Sequence, residues 1–252
     1  MAESRLRTVW AAGGVAMGAW CSMGSAMAAE FLASEGFDYV GIDCQHGIAG
    51  AESIVPMLQG IGRYPVATVI RVPIASGWWI ERALDCGAEA VIVPMVNNAR
   101  EAADAVAHCR YPPLGQRSLG PIRAELVLGA DPVAANRSVT CLVQIETVEA
   151  VDNIDEICAT PGIDGVYIGP ADLAMSMGLS PRLAPIPGPH AEAMERVRSA
   201  CDARGLITAV HSGSGEQAKQ YAEAGYRMIT IGSDAAMLRS YARGQLRTAR
   251  GT

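Results

Sequence analysis

The chain has 252 residues, half of them hydrophobic and 5% aromatic, with 20 Lys and Arg against 26 Asp and Glu for a net charge of −6. That length suits one α/β domain of the barrel type, about 250 residues in size, and supplies enough apolar residues for a sizeable core. No basic stripe with interleaved aromatics occurs, which argues against a nucleic-acid partner, and no segment is apolar enough to span a bilayer.

The N-terminal stretch MAESRLRTVWAAGGVAMGAWCSMGSAMAAE sets Arg5 and Arg7 before an apolar run ending in small residues, the pattern of a signal peptide. Glycines break that run, and it is read instead as a first strand over 15–21 leading into a helix. Seven further strands are predicted near 38–44, 66–72, 90–96, 140–146, 165–169, 206–211 and 227–232. They are short runs of Val, Ile, Tyr and Met, as expected of parallel strands buried on both faces. Four of them follow a glycine, in EGFDYVGIDCQH, CGAEAVIVPMV, PGIDGVYIGPAD and AGYRMITIGSD. Each such glycine can cap the preceding helix in a left-handed conformation.

Helical patterns separate the strands. Ile54, Met57, Leu58 and Ile61 mark one apolar face, and Val151, Ile154, Ile157 and Cys158 mark another. Eight alternating β and α elements without a linker predict a single (β/α)₈ TIM barrel over 1–252. A doubly wound sheet is the alternative, but no glycine-rich dinucleotide fingerprint follows the first strand. Two irregular stretches, RYPPLGQRSLGPIRAELVLGADPVAANRSV and SPRLAPIPGPH, follow strand C-termini, where barrel active sites are built. Seven cysteines, an odd number without a CxxC pair, read as reduced thiols and place the protein in the cytoplasm.

The strand ends carry the chemistry. In LVQIETVEAVDNIDEI, Leu142, Gln144 and Glu146 share one face of a strand. Burying an amide and a carboxylate there is unfavourable unless each has a partner. Asp172 lies just past the next strand, and strands are about 4.8 Å apart, so Glu146 and Asp172 can share a divalent cation. Two capping acids are the alternative. The second strand closes with Asp43, Gln45 and His46, and the third puts Arg71 after an apolar run, where a guanidinium needs an anion. A salt bridge to Asp43 or Glu146 is a compatible reading. Asp85 ends a helix, where the dipole disfavours negative charge; a nearby imidazolium would offset that, and a plainly exposed aspartate is the alternative.

These residues sit in GAW (18–20), DCQH (43–46), IRVP (70–73), LDCGAEAVIVPMV (84–96), RYPPLGQRSLGP (110–121), VQIET (143–147) and GIDGVYIGPADLAMSMG (162–178). With these motifs the chain resembles the HpcH/HpaI aldolases, metal-dependent class II pyruvate aldolases, over almost its whole length. The resemblance implies reversible cleavage of 4-hydroxy-2-oxoacids to pyruvate or hydroxypyruvate and an aldehyde through an enolate. It implies Mg²⁺, Mn²⁺ or Co²⁺ on Glu146 and Asp172, with pyruvate held by Gln144 and the backbone around Gly169, Pro170 and Ala171. It further implies a base at His46 oriented by Asp85, enolate stabilisation by Arg71 beside Asp43, and Trp20 as a wall of the aldehyde pocket. Gln45 departs from the members that cleave dicarboxylic substrates, which carry an acid there, so the aldehyde is left open. The resemblance also implies a homohexamer, a trimer of dimers exchanging the C-terminal helix DAAMLRSYARGQLRTAR, whose Met237, Leu238 and Tyr241 form a stripe in need of a cover.

Three other readings compete. A Schiff-base aldolase needs a strand-end lysine, and the one lysine, Lys219, falls in a helical run. A CoA-ester lyase of the citramalyl or malyl type would use similar metal carboxylates, but no extra segment for a CoA tail is evident. A non-catalytic binding barrel would have little use for Glu146, Asp172, Arg71 and His46 together.

Overall fold

The computed structural model describes residues 4–251. In chain order the first half comprises α1 (Arg5–Ala11), β1 (Ala16–Cys21), α2 (Ala26–Ser34), β2 (Tyr39–Asp43), α3 (Ile54–Ile61), β3 (Ala67–Arg71), α4 (Gly77–Asp85), β4 (Ala90–Val93), α5 (Ala99–Cys109), α6 (Ala124–Leu128) and α7 (Pro132–Ser138). The second half comprises β5 (Thr140–Ile145), α8 (Val148–Asp152), α9 (Ile154–Cys158), β6 (Gly165–Ile168), α10 (Pro170–Ser176), α11 (Pro189–Asp202), β7 (Ile207–Ser212), α12 (Gly215–Glu223), β8 (Met228–Ser233) and α13 (Asp234–Arg250). The eight strands close in order into a parallel barrel, β8 pairing with β1. This is the (β/α)₈ barrel expected of the sequence.

The strands form because their side chains are buried on both sides. One apolar layer fills the barrel interior, with Tyr39, Val69, Ile92, Leu142, Tyr167 and Ala209. The other lies between strands and helices and includes Ile54, Met57, Leu58 and Ile61 of α3. The glycines before β2, β4, β6 and β8 all have positive φ, as helix caps of that kind require (Gly36 86°, Gly87 96°, Gly162 91°, Gly225 94°). The N-terminal stretch supplies α1 as well as β1. Leu6 closes the bottom of the barrel, Arg5 pairs with Glu89 at 2.6 Å and Arg7 with Asp164 at 2.5 Å.

The structure differs from expectation in three places. β4 stops at Val93, because Pro94 has no N–H for the ladder and Met95 turns left-handed with φ 57°. The helix expected over 151–158 is two short helices, α8 and α9, hinged at Asn153. The irregular stretch before β5 contains α6 and α7. All seven cysteines are free and buried. Among the described residues no helix is long and apolar enough to cross a membrane.

Candidate active site

A cavity of about 270 Å³ opens at the C-terminal ends of the strands, lined among others by Trp20, Asp43, His46, Arg71, Gln144 and Asp172. Register explains much of it. Asp43 and Arg71 are direct partners across the β2/β3 ladder. Arg71 donates from Nε to Asp43 Oδ1 at 2.9 Å and from Nη2 to Oδ2 at 2.7 Å, a two-pronged clamp that holds the guanidinium plane. That guanidinium lies 5.2 Å from the centre of the Trp20 ring, whose Nε1 donates to Asp43 Oδ2 at 3.3 Å. Burial works against a charged Asp43, yet Arg71 and the backbone N–H groups of Gln45 and His46 hold its carboxyl below the usual carboxylate range. Glycines make the room. A Cβ on Gly41 would sit 2.4 Å from the Trp20 ring.

Gln144 and Glu146 face the interior and are almost fully buried, at 1% and 2% exposure. Their partners are each other and a turn. Gln144 Nε2 donates to Glu146 Oε2, and the left-handed Met95 aims its N–H at Glu146 Oε1 at 2.9 Å. Gln144 Oε1 is buried with no partner among the described residues. Burial pushes the Glu146 carboxyl up, and the neighbouring charge of Asp172 pushes the same way against the Met95 and Gln144 hydrogen bonds. Asp172 stands in the first turn of α10, directly after β6. A Cβ on Gly169 would approach Glu146 Oε2 to 2.8 Å and Gln144 Nε2 to 3.0 Å, so glycine there keeps the floor open. Two facing carboxylates and an orphaned amide oxygen form an oxygen donor set that fits a hard divalent cation. Among the described residues no group of three or more His, Cys, Asp and Glu forms a closed metal cage.

His46 lines the cavity and is exposed, its backbone N–H bonded to Asp43 Oδ1 at 3.3 Å. It is not paired with Asp85 within this chain. Asp85 accepts a 2.7 Å hydrogen bond from Arg117 Nη2, and does not line the cavity. The reason is topological. A barrel helix runs antiparallel to its strands, so the last turn of α4 lies at the opposite end of the barrel from the mouth that β2 reaches. Lys219 is 78% exposed on α12, pairs with Glu223 and does not line the cavity.

Four contributors escaped the sequence reading. Met95 was placed inside a strand. Tyr167 and His211 line the cavity on β6 and β7, where they read as ordinary strand residues. His190 is fully buried, accepts from Ile186 N at Nδ1 and donates from Nε2 to Pro170 O at 2.9 Å, tying the turn before Asp172 to the irregular stretch after it. Nothing in the local pattern around His190 signals this.

A family profile described as HpcH/HpaI aldolase/citrate lyase matches residues 16–240. The chain is 35% identical to a hydroxypyruvate/pyruvate aldolase of Agrobacterium fabrum, over 92% of this chain and 88% of that protein. It is 37% identical to a 4-hydroxy-2-oxo-heptane-1,7-dioate aldolase of Salmonella arizonae, over 90% and 87%. A crystal structure of an HpcH/HpaI aldolase/citrate lyase family protein from Burkholderia cenocepacia superposes with a TM-score of 0.86 at 35% identity, covering 98% of this chain and 97% of that one.

Proposed function

The chain belongs to the HpcH/HpaI aldolase/citrate lyase family and is an aldolase, a carbon–carbon lyase; on that footing we propose that it cleaves 4-hydroxy-2-oxoacids reversibly to pyruvate or hydroxypyruvate and an aldehyde. The observation that carries this reading is the buried Glu146 carboxylate, bonded to Gln144 and within the electrostatic reach of Asp172 and Arg71, next to the strand-end cavity that those three residues line.

Glu146 and Asp172 would hold a divalent cation of the Mg²⁺, Mn²⁺ or Co²⁺ type. When bound, it supplies a Lewis acid that polarises the 2-oxo group and favours the enolate. The rest falls to the chain. Gln144 and the Gly169–Pro170–Ala171 turn orient the pyruvate half. His46, exposed at the mouth, removes the 4-hydroxyl proton as the C3–C4 bond breaks and the aldehyde leaves. Arg71, fixed by Asp43, stabilises the negative charge that grows on the pyruvate oxygen. Protonation at C3 then gives pyruvate. With Asp85 paired to Arg117, the base role of His46 is assigned without it.

We also propose a homo-oligomer, a trimer of dimers exchanging α13, and a cytoplasmic location. The support for exchange is that Leu238, Tyr241 and Leu246 on α13 are 60%, 71% and 50% exposed instead of packed on the chain's own barrel. The support for the compartment is the seven free thiols. The functional reading is tested by screening aldehyde acceptors with pyruvate and hydroxypyruvate, each with Mg²⁺, Mn²⁺ and Co²⁺ in turn. Carbon–carbon bond formation with at least one pair is expected; none with any pair contradicts it.

A further inference from the structure

His211 has no role in the account above, yet it faces the same cavity. It is the penultimate residue of β7 and lines the cavity with Tyr167, Trp20 and Leu183. Its ring meets Trp20 edge-on, 5.5 Å between centres. Its Nδ1 lies 3.1 Å from Tyr167 Oη. Burial and the positive charge of Arg71 lower its pKa to about 4, so the ring is neutral at pH 7.

A chain of hydroxyls decides which nitrogen carries the proton. Tyr167 Oη is 2.7 Å from Thr230 Oγ1, and Thr230 Oγ1 is 2.7 Å from Tyr39 Oη. Tyr39 is fully buried, and among the described residues its hydroxyl meets no polar group except Thr230. Each hydroxyl has one proton to give. If His211 donated from Nδ1 and the bonds ran outward to Tyr39, the Tyr39 proton would have no acceptor in a dry interior. That is unfavourable, since a buried donor without a partner loses its full hydration. The satisfied order runs the other way: Tyr39 donates to Thr230, Thr230 to Tyr167, and Tyr167 to His211 Nδ1. The His211 proton then sits on Nε2. Among the described residues no protein group meets that nitrogen, and it is not among the buried unpartnered atoms. It therefore offers its N–H to the cavity.

We propose that His211 selects the aldehyde, its Nε2–H acting as a fixed, uncharged donor that recognises a hydroxyl oxygen next to the aldehyde carbonyl. This rests on the aldolase reading given above. That reading engages the wall bearing Glu146, Asp172, Gln144 and Arg71 with the pyruvate half. The face left for the aldehyde is the one bearing Trp20, Leu183 and His211. A neutral donor between apolar groups suits a hydroxyl better than a carboxylate. A donor held in place by a relay discriminates strongly against an analogue that cannot satisfy it. The substrate class is thus small hydroxyaldehydes, glycolaldehyde being the simplest.

The experiment measures kcat/KM for glycolaldehyde and for propionaldehyde, similar in size but without the hydroxyl, each with pyruvate and the cation found most active. The glycolaldehyde-to-propionaldehyde ratio is expected to fall tenfold or more in His211→Leu and to recover in part in His211→Gln, which restores an N–H. A ratio within threefold of the wild type in His211→Leu overturns the assignment. The tautomer is read separately by ¹⁵N NMR on histidine-labelled protein, which has four histidines to assign. Protonated Nε2 with unprotonated Nδ1 is expected at pH 7, with the opposite tautomer gaining population in Tyr167→Phe, which removes the hydroxyl that donates to Nδ1. Protonated Nδ1 in the wild type overturns the relay and the proposal with it. If the tautomer is as stated but the wild type joins pyruvate to no aldehyde, the aldolase reading fails and the selective role falls with it.

Discussion

Arg71 is held flat by Asp43 while its outer edge faces the cavity, which is the geometry of a charge stabiliser prepared before reaction. Replacing it with Ala is expected to lower kcat by about 10²–10³-fold, while KM for pyruvate moves far less, because the oxygen it faces becomes most negative in the transition state. Steady-state kinetics separate the two; normal kcat with a raised KM would make Arg71 a binding group only. Arg71→Lys keeps the charge but loses the fork to Asp43, so only partial recovery is expected. Asp85 belongs to a different calculation. Its partner Arg117 has a side chain only 1% exposed and stacks 4.5 Å from the Tyr111 ring centre. Asp85→Asn leaves that guanidinium without its countercharge, and a loss of about 1–3 kcal/mol in unfolding free energy is expected by denaturant titration. Within one chain Asp85 and His46 stand apart, because a helix end and a strand end that both look terminal in sequence lie at opposite faces of a barrel.

At the scale of elements, the strands were legible because each is a short apolar run, four of them behind a left-handed glycine cap. The carboxylates were legible because an acid inside such a run is conspicuous. The turn after β4 was not. PMV continues the apolar run, and only the structure shows Met95 turned to place its N–H on Glu146. The Tyr39–Thr230–Tyr167–His211 chain was hidden for a related reason. Its members come from four strands, and each alone is an unremarkable strand residue. Gly169 joins this element-scale machinery. Its φ of −97° is open to any residue, so alanine there is opposed only by the site atoms its Cβ would touch. Gly169→Ala is expected to cut aldol turnover by about 10²-fold through displacement of Glu146 and Gln144, with a circular-dichroism melt near that of the wild type. Undiminished turnover would show that the floor of the site tolerates a methyl group.

The whole molecule closes its barrel from below with α1 and leaves α13 extended from its rim, exposing Leu238, Tyr241 and Leu246. Light scattering at micromolar concentration is expected to give the mass of an oligomer, and Leu238→Glu with Tyr241→Glu to lower it; a monomeric wild type contradicts the exchanged helix. The architecture otherwise serves one end of the barrel, where the buried Glu146 carboxylate, the half-buried Asp172 and the unpartnered Gln144 Oε1 form the set proposed to hold a cation. The most direct measurement of that claim is exchange of the pyruvate methyl protons in D₂O, followed by ¹H NMR, on protein stripped of metal by a strong chelator with its metal content verified. The account predicts no exchange by the stripped protein, exchange restored by Mg²⁺, Mn²⁺ or Co²⁺, and none in Glu146→Gln or Asp172→Asn under any of them while both variants remain folded. Full exchange by the stripped wild type, or restored exchange in either variant, would contradict it.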